Sequence, residues 1–228
     1  MGTPKTRRDI IARMPILFVG FFLLAIGIVA NLYASLGTSP WGVFHVGLTI
    51  ITPLTLGQIT QIVGLVIVLL SWILGFSPGF VTFANMITIG FFIDLVIDWK
   101  IIPTQTQLGF QILQLISSII ILGAGVFLYL KAQLGAGPRD GLMIALTAKF
   151  NKPVSHIRVP MDIIVSILGY LLGGPLGIGT IITALTLGYC MQFFFKIGRF
   201  NSISEQLSLM KLYQIIKKGK LNKKNDST

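Results

Sequence analysis

Acidic side chains are scarce in this 228-residue sequence, histidine scarcer still, and cysteine almost absent: 7 Asp/Glu, 2 His and 1 Cys. A lone cysteine, Cys190, excludes an intrachain disulfide; set in an apolar run, it reads as a small buried hydrophobe. Two histidines, His45 and His156, with no carboxylate cluster near them in sequence offer no metal-ligand set, so no metal and no other cofactor is expected. An H-E-x-x-H motif and paired aspartyl motifs are missing. Ser39 and His45 stand six residues apart around Pro40, a poor dyad, so the sequence predicts no enzyme. Charge of either sign is rare, 11% of residues against about 25% in an ordinary soluble domain.

What is present is apolar. Hydrophobic residues make up 54% of the chain, and the mean hydropathy is +0.85. Such a chain is neither disordered nor a soluble globule, which would expose large apolar patches. Residues 14–93, 101–130 and 163–195 carry no charged side chain. A spanning helix needs about 20 apolar residues, so the sequence predicts an all-α polytopic membrane protein in a lipid bilayer. The 18 Lys/Arg, an excess of 11 over Asp/Glu, sit mostly at the ends and in one loop region. That placement follows the positive-inside rule and excludes nucleic-acid binding, which would need basic patches among exposed aromatics. The basic N-terminus, 1–14, precedes an apolar stretch too long for a signal-peptide core and is read as leading into a retained first helix.

Two segments match, LGTSPWGVFHVGLT at 36–49 and LGAGPRDGLMIALT at 134–147, at an offset of 98. The same ungapped offset pairs Gly27 with Gly125, Gly75 with Gly173, Gly79 with Gly177, Thr82 with Thr180 and Gly90 with Gly188. Matched Gly and Thr carry more weight than matched Leu in so apolar a chain. The reading is a duplication: membrane repeat 1 at 15–98, a linker at 99–112, membrane repeat 2 at 113–197, and a basic amphipathic or flexible cytoplasmic tail at 198–228. Each repeat divides into three long helices, at 15–35, 55–75 and 79–98, then 111–131, 154–173 and 177–197. The first of each is followed by a short segment, 38–52 or 136–150. At 1.5 Å per residue those segments reach about 20 Å, too little for a bilayer core of about 30 Å. They are expected to be broken or re-entrant helices, which survive at membrane depth only when buried in protein or lining a cavity.

Three spans per repeat is odd, so the repeats would be inverted. The charges agree. The stretch 36–54 has none, whereas the neighbourhood of its counterpart carries Lys131, Arg139, Lys149, Lys152 and Arg158. Both termini are then cytoplasmic. The competing arrangement, in which both short segments span, would leave Lys131 and Arg139 outside. In the tail, Ser202 with Glu205 three residues on predicts a capping box opening an amphipathic helix on an anionic membrane surface.

The motif LGTSPWGVFHVGLT and its echo LGAGPRDGL resemble the YczE/YyaS/YitT-like bacterial integral membrane proteins, most closely the YczE type. The resemblance implies a multi-pass protein of the bacterial plasma (inner) membrane and brings no assigned activity. Members commonly carry an acidic residue after the Pro-Trp pair; this sequence has Gly42 there and keeps Asp140 in the second motif, so no role transfers to the first position.

Inverted repeats with broken helices are the plan of many secondary transporters. Gly37, Ser39, Pro40 and Gly135, Gly137, Pro138 would each open a short helix, whose N-terminus carries partial positive charge and free N–H groups. Facing one another, the two would form a substrate site for a small polar or anionic solute, with Trp41, His45, Arg139 and Asp140 at its edge. Ionisable groups at depth mark functional sites: Asp94, and the pair Arg158 and Asp162 one helical turn apart, are candidates for ion or proton coupling. The runner-up reading is a non-transporting partner that regulates or assembles another protein. Either form is open to acting as a homodimer.

Overall fold

In the computed structural model, the described residues are 6–75, 78–135, 137–152, 154–199 and 215. Among them the chain is all-helical: α1 (Arg7–Tyr33), α2 (Pro40–Ile51), α3 (Leu56–Ile73), α4 (Phe80–Asp98), α5 (Leu108–Lys131), α6 (Pro138–Phe150), α7 (Val154–Leu171) and α8 (Ile178–Ile197). Five of these helices, α1, α3, α4, α5 and α8, are long and apolar enough to cross a membrane. The sixth long helix, α7, carries Arg158 and Asp162 within its 18 residues. The short segments are helices of 12 and 13 residues, about 18–20 Å long at the α-helical rise.

The boundaries follow local signals. Pro40 and Pro138 sit in the first turns of α2 and α6, where a missing N–H costs nothing. The turns before them need a backbone that most residues avoid: Gly37 has φ +96° and Gly135 φ +141°, conformations open mainly to glycine. The first helix differs from expectation. It begins at Arg7, eight residues before 15, because Thr6 and Asp9 form a capping box, Asp9 N–H to Thr6 Oγ1 at 3.2 Å and Thr6 N–H to Asp9 Oδ2 at 3.1 Å. Pro15 lies inside it. The Ser202–Glu205 box and the tail helix lie outside the described residues; within the tail Ile215 alone is described, fully buried in the core cluster.

The core runs along α1 and α5. The two pack antiparallel, Gly20 facing Tyr129 and Gly27 facing Leu122. A methyl group on Gly20 would stand 2.7 Å from the Tyr129 backbone nitrogen. Small residues bring membrane helices this close, so that dispersion and weak polar contacts replace the missing hydrophobic drive. α4 lies on α1 and α8 on α5; α2 packs on α7 and α6 on α3. α3 and α4 form a tight hairpin through Gly57, Gly64 and Gly90, whereas α7 and α8 make no comparable contact. Leu65, Val66, Leu69, Trp72 and Ile73 of α3 face outward, as a lipid-facing surface does.

The loop between α4 and α5 is pinned by glutamines. Gln105 N–H donates to Tyr33 O at 2.9 Å, and Gln114 Nε2 donates to Ala30 O at 3.1 Å and Pro103 O at 3.2 Å. At the opposite end of the pair, Arg13 Nη1 donates to Ala132 O at 3.2 Å.

Candidate functional site

A cavity of about 220 Å³ lies where the N-termini of α2 and α6 approach the middle of α1 and α5. From α2 it is lined by Ser39, Pro40, Trp41 and His45, and from α6 by Gly137, Pro138, Arg139 and Asp140. Arg158 and Asp162 of α7 complete its charged wall. Gly37 and Gly135, expected at the site, do not line it: they shape the turns that bring the chain back into the fold, and Gly37 packs against Gly177. Asp94 is elsewhere. Its two oxygens accept from the Thr55 hydroxyl at 2.6 Å and the Gly57 N–H at 2.8 Å, so it caps the start of α3.

The centre of the site is a stack. The Arg139 guanidinium lies over the Trp41 ring, 4.7 Å from its centre. The Trp41 indole N–H donates to Asp162 Oδ1 at 3.1 Å, and Arg158 pairs with Asp162 Oδ2 at 3.7 Å. One face of Arg139 is therefore covered by a π-system, while no hydrogen bond ties its N–H edge to the described residues. Asp140 is held by the Tyr129 hydroxyl.

The two short helices begin differently. Ser39 caps α2, accepting from Gly42 N–H at 3.2 Å. The residue one offset on is Gly137, and no side chain caps α6. A helix N-terminus left without a cap presents donors and partial positive charge to whatever lies in front of it.

His45 is 4% exposed. Its Nδ1 lies 3.0 Å from Thr60 Oγ1, and the same hydroxyl reaches Leu56 O at 2.8 Å. The single hydroxyl proton goes to the carbonyl, as helical Thr commonly donates to residue i−4. Thr60 thus accepts from His45, which places the imidazole proton on Nδ1. Nε2 is left as a buried lone pair with no hydrogen-bond partner, a costly state for a polar atom.

Sequence reasoning missed Asn31 and Tyr129, which share one position in the two 98-residue registers. Asn31 Oδ1 accepts from the Thr38 hydroxyl at 3.1 Å, and its amide donates to Ser118 at 2.9 Å and Thr183 at 3.2 Å. Tyr129 holds Asp140. Asn31 ties the end of α1 to the turn before α2, and Tyr129 ties the end of α5 to the first turn of α6. The available signal was that both are polar residues in otherwise apolar helices. Asn85, noted in the sequence as a polar residue on a span, lines the cavity. Met86, Met143, Met161 and Met191 supply adaptable walls.

Known proteins place the chain. The profile of a family described as of unknown function, DUF6198, matches residues 11–196. An uncharacterized protein of Haemophilus influenzae is 34% identical over 182 residues, 80% of this chain and 83% of that one. The uncharacterized membrane protein YczE of Bacillus subtilis is 34% identical over 195 residues, 82% and 87% of the two chains. The uncharacterized protein YyaS of the same organism is 25% identical over 199 residues, covering 82% and 94%. No solved structure matches. With its apolar helices and these relatives, the chain is a helical membrane protein of the DUF6198 family.

Proposed function

We propose that this protein is a small secondary transporter of the bacterial plasma membrane, carrying a small polar or anionic solute through the cavity between α2 and α6 without covalent chemistry. The observation that carries the reading is Arg139. A guanidinium stacked on Trp41 at 4.7 Å, between Asp140 and Asp162 and lining a mainly apolar cavity without a hydrogen bond of its own among the described residues, has N–H donors to offer a bound solute.

The arrangement of helices supports transport over a purely structural role. α1–α4 and α5–α8 are read as inverted repeats related by a pseudo-two-fold axis. Contacts pair accordingly: α1 with α4 as α5 with α8, and α2 with α7 as α6 with α3. α1 and α5 run antiparallel at the axis. Trp41 and Arg139 occupy the same place in the two motifs and touch one another, so the cavity lies on that axis. Binding at a repeat interface, between broken helices, is what such transporters use. The pairing is unequal in one place, since α3 and α4 are tightly packed and α7 and α8 are not. Exchanging that inequality between the halves would carry the cavity from one side of the membrane to the other. Arg13 beside Ala132 gathers Arg7, Arg8, Arg13 and Lys131 at one end of the α1–α5 pair, which supports cytoplasmic termini.

The test is flux into proteoliposomes of labelled acetate, phosphate, alanine and urea. At least one should enter faster than into protein-free vesicles, and Arg139→Ala should remove the difference. Entry of none above the protein-free rate would end the proposal.

A further inference from the structure

We infer that the solute is a small zwitterion, an amino acid of about alanine's size, held with its carboxylate on Arg139 and its ammonium on His45. The inference rests on the transport reading above and names the ligand of that site.

Three observations converge on it. First, Arg139 offers an edge of N–H donors with its face covered by Trp41. A carboxylate is the planar acceptor that fits such an edge by two parallel hydrogen bonds. The uncapped start of α6, which contains Arg139 itself, adds partial positive charge on the same side. Second, His45 Nε2 is a buried lone pair without a partner, and the ring lines the cavity. Nδ1 keeps the proton for Thr60, so Nε2 asks for a donor. Both groups lie against one indole, Arg139 Cζ at 4.7 Å and the His45 ring centre at 6.4 Å. Both residues line the one cavity, and a solute that reaches both must press against the imidazole, because Nε2 exposes less than 1 Å².

Third, the charges balance before anything binds. The cavity walls hold two cations, Arg139 and Arg158, and two carboxylates, Asp140 and Asp162. Both carboxylates already have partners: Tyr129 for Asp140, and Trp41 with Arg158 for Asp162. A simple anion would leave the pocket with one uncompensated negative charge, expensive away from water. A zwitterion satisfies Arg139 and leaves the sum unchanged. The ammonium supplies the donor that Nε2 lacks. The volume of about 220 Å³ falls below the roughly 300–1,000 Å³ of drug-sized pockets, which suits a compact solute.

The test is equilibrium binding to the purified full-length protein in detergent, with four probes of nearly one shape. Alanine carries both groups, lactate replaces the ammonium with hydroxyl, propionate has no donor, and alaninamide has no carboxylate. Alanine should bind at least tenfold tighter than propionate or alaninamide, with lactate between. In His45→Phe the preference for alanine over propionate should vanish. In Thr60→Val, which keeps the imidazole but frees its tautomer, the preference should shrink. Equal binding of propionate and alanine would overturn the inference, because Nε2 would then be satisfied by a water in the small adjoining cavity of about 20 Å³. So would lactate binding tighter than alanine, no binding by any probe at 10 mM (on the order of 10,000 times weaker than a micromolar site), or an unchanged preference in folded His45→Phe and Thr60→Val. Binding of alanine without flux would remove the transport reading and leave this one standing. Flux of another solute without alanine binding would do the reverse.

Discussion

Trp41 and Arg139 stack on each other at 4.7 Å, and they are the same position of two matching motifs, LGTSPW and LGAGPR. One motif supplies the aromatic face and the other the cation that lies on it. A symmetric pair of arginines would repel there, and a symmetric pair of indoles would leave no charge for a solute. Under the proposed function, this difference between the two motifs supplies the solute with both a ring face and a cation.

Trp41→Phe should keep the stacked face but remove the donor to Asp162. Asp162 then loses its 3.1 Å hydrogen bond and keeps Arg158. The expected result is a lower Tm, since a hydrogen bond to a charged group is worth about 1.5–3 kcal/mol to the fold, and a several-fold weaker Kd for alanine. Trp41→Ala should abolish binding, because Arg139 loses its support. Ligand titration of both variants, with Tm as the folding control, measures this.

Asp94 was a coupling candidate in the sequence and is a helix cap in the structure. Asp94→Asn should lower stability by about 0.5–2 kcal/mol, the usual worth of a cap, and leave alanine affinity within twofold. A thermal melt read beside a binding isotherm separates the two effects. An intact melt with lost flux would restore Asp94 to the transport path.

The unequal hairpins make a cross-linking prediction. In α3 and α4, Gln61 Nε2 donates to Ile87 O at 2.9 Å. The residues one offset on are Val159 and Leu185, on α7 and α8. The pair Gln61→Cys with Ile87→Cys should cross-link readily in this state, and Val159→Cys with Leu185→Cys slowly. A transporter that exchanges states will form both, with rates that alanine shifts in opposite directions. Gel analysis after mild oxidation is the readout, and a second pair that never forms would argue for one fixed state.

Topology has a separate check. With six spans and two re-entrant helices, Thr104 faces outward and Lys152 faces the cytoplasm. A cysteine at Thr104 in intact cells should react with an impermeant maleimide, and one at Lys152 only after lysis. If both short helices span instead, the Thr104 site is protected.

Much of the architecture was legible because its signals are local. Pro40 and Pro138 mark helix starts, Gly37 and Gly135 mark positive-φ turns, and charge-free runs mark the long helices. The start of α1 was misplaced because the Thr6–Asp9 box lies in a charged stretch that reads as tail. At the site, Trp41, His45, Arg139, Asp140, Arg158 and Asp162 were all named from sequence and do meet. Their partners were not legible. That Tyr129 holds Asp140, that Asp162 accepts from Trp41, and that Asp94 serves the start of α3 are facts of packing between residues 11 to 121 positions apart. Periodicity reports the face a residue occupies; it does not report what stands opposite.

The most direct measurement is counterflow of labelled alanine in proteoliposomes preloaded with unlabelled alanine. The wild-type protein should accumulate label transiently above equilibrium, and Arg139→Ala, reconstituted to the same density, should match protein-free vesicles. Equal accumulation by the variant would contradict a solute path through Arg139, and none by the wild type would contradict alanine as the solute on that path.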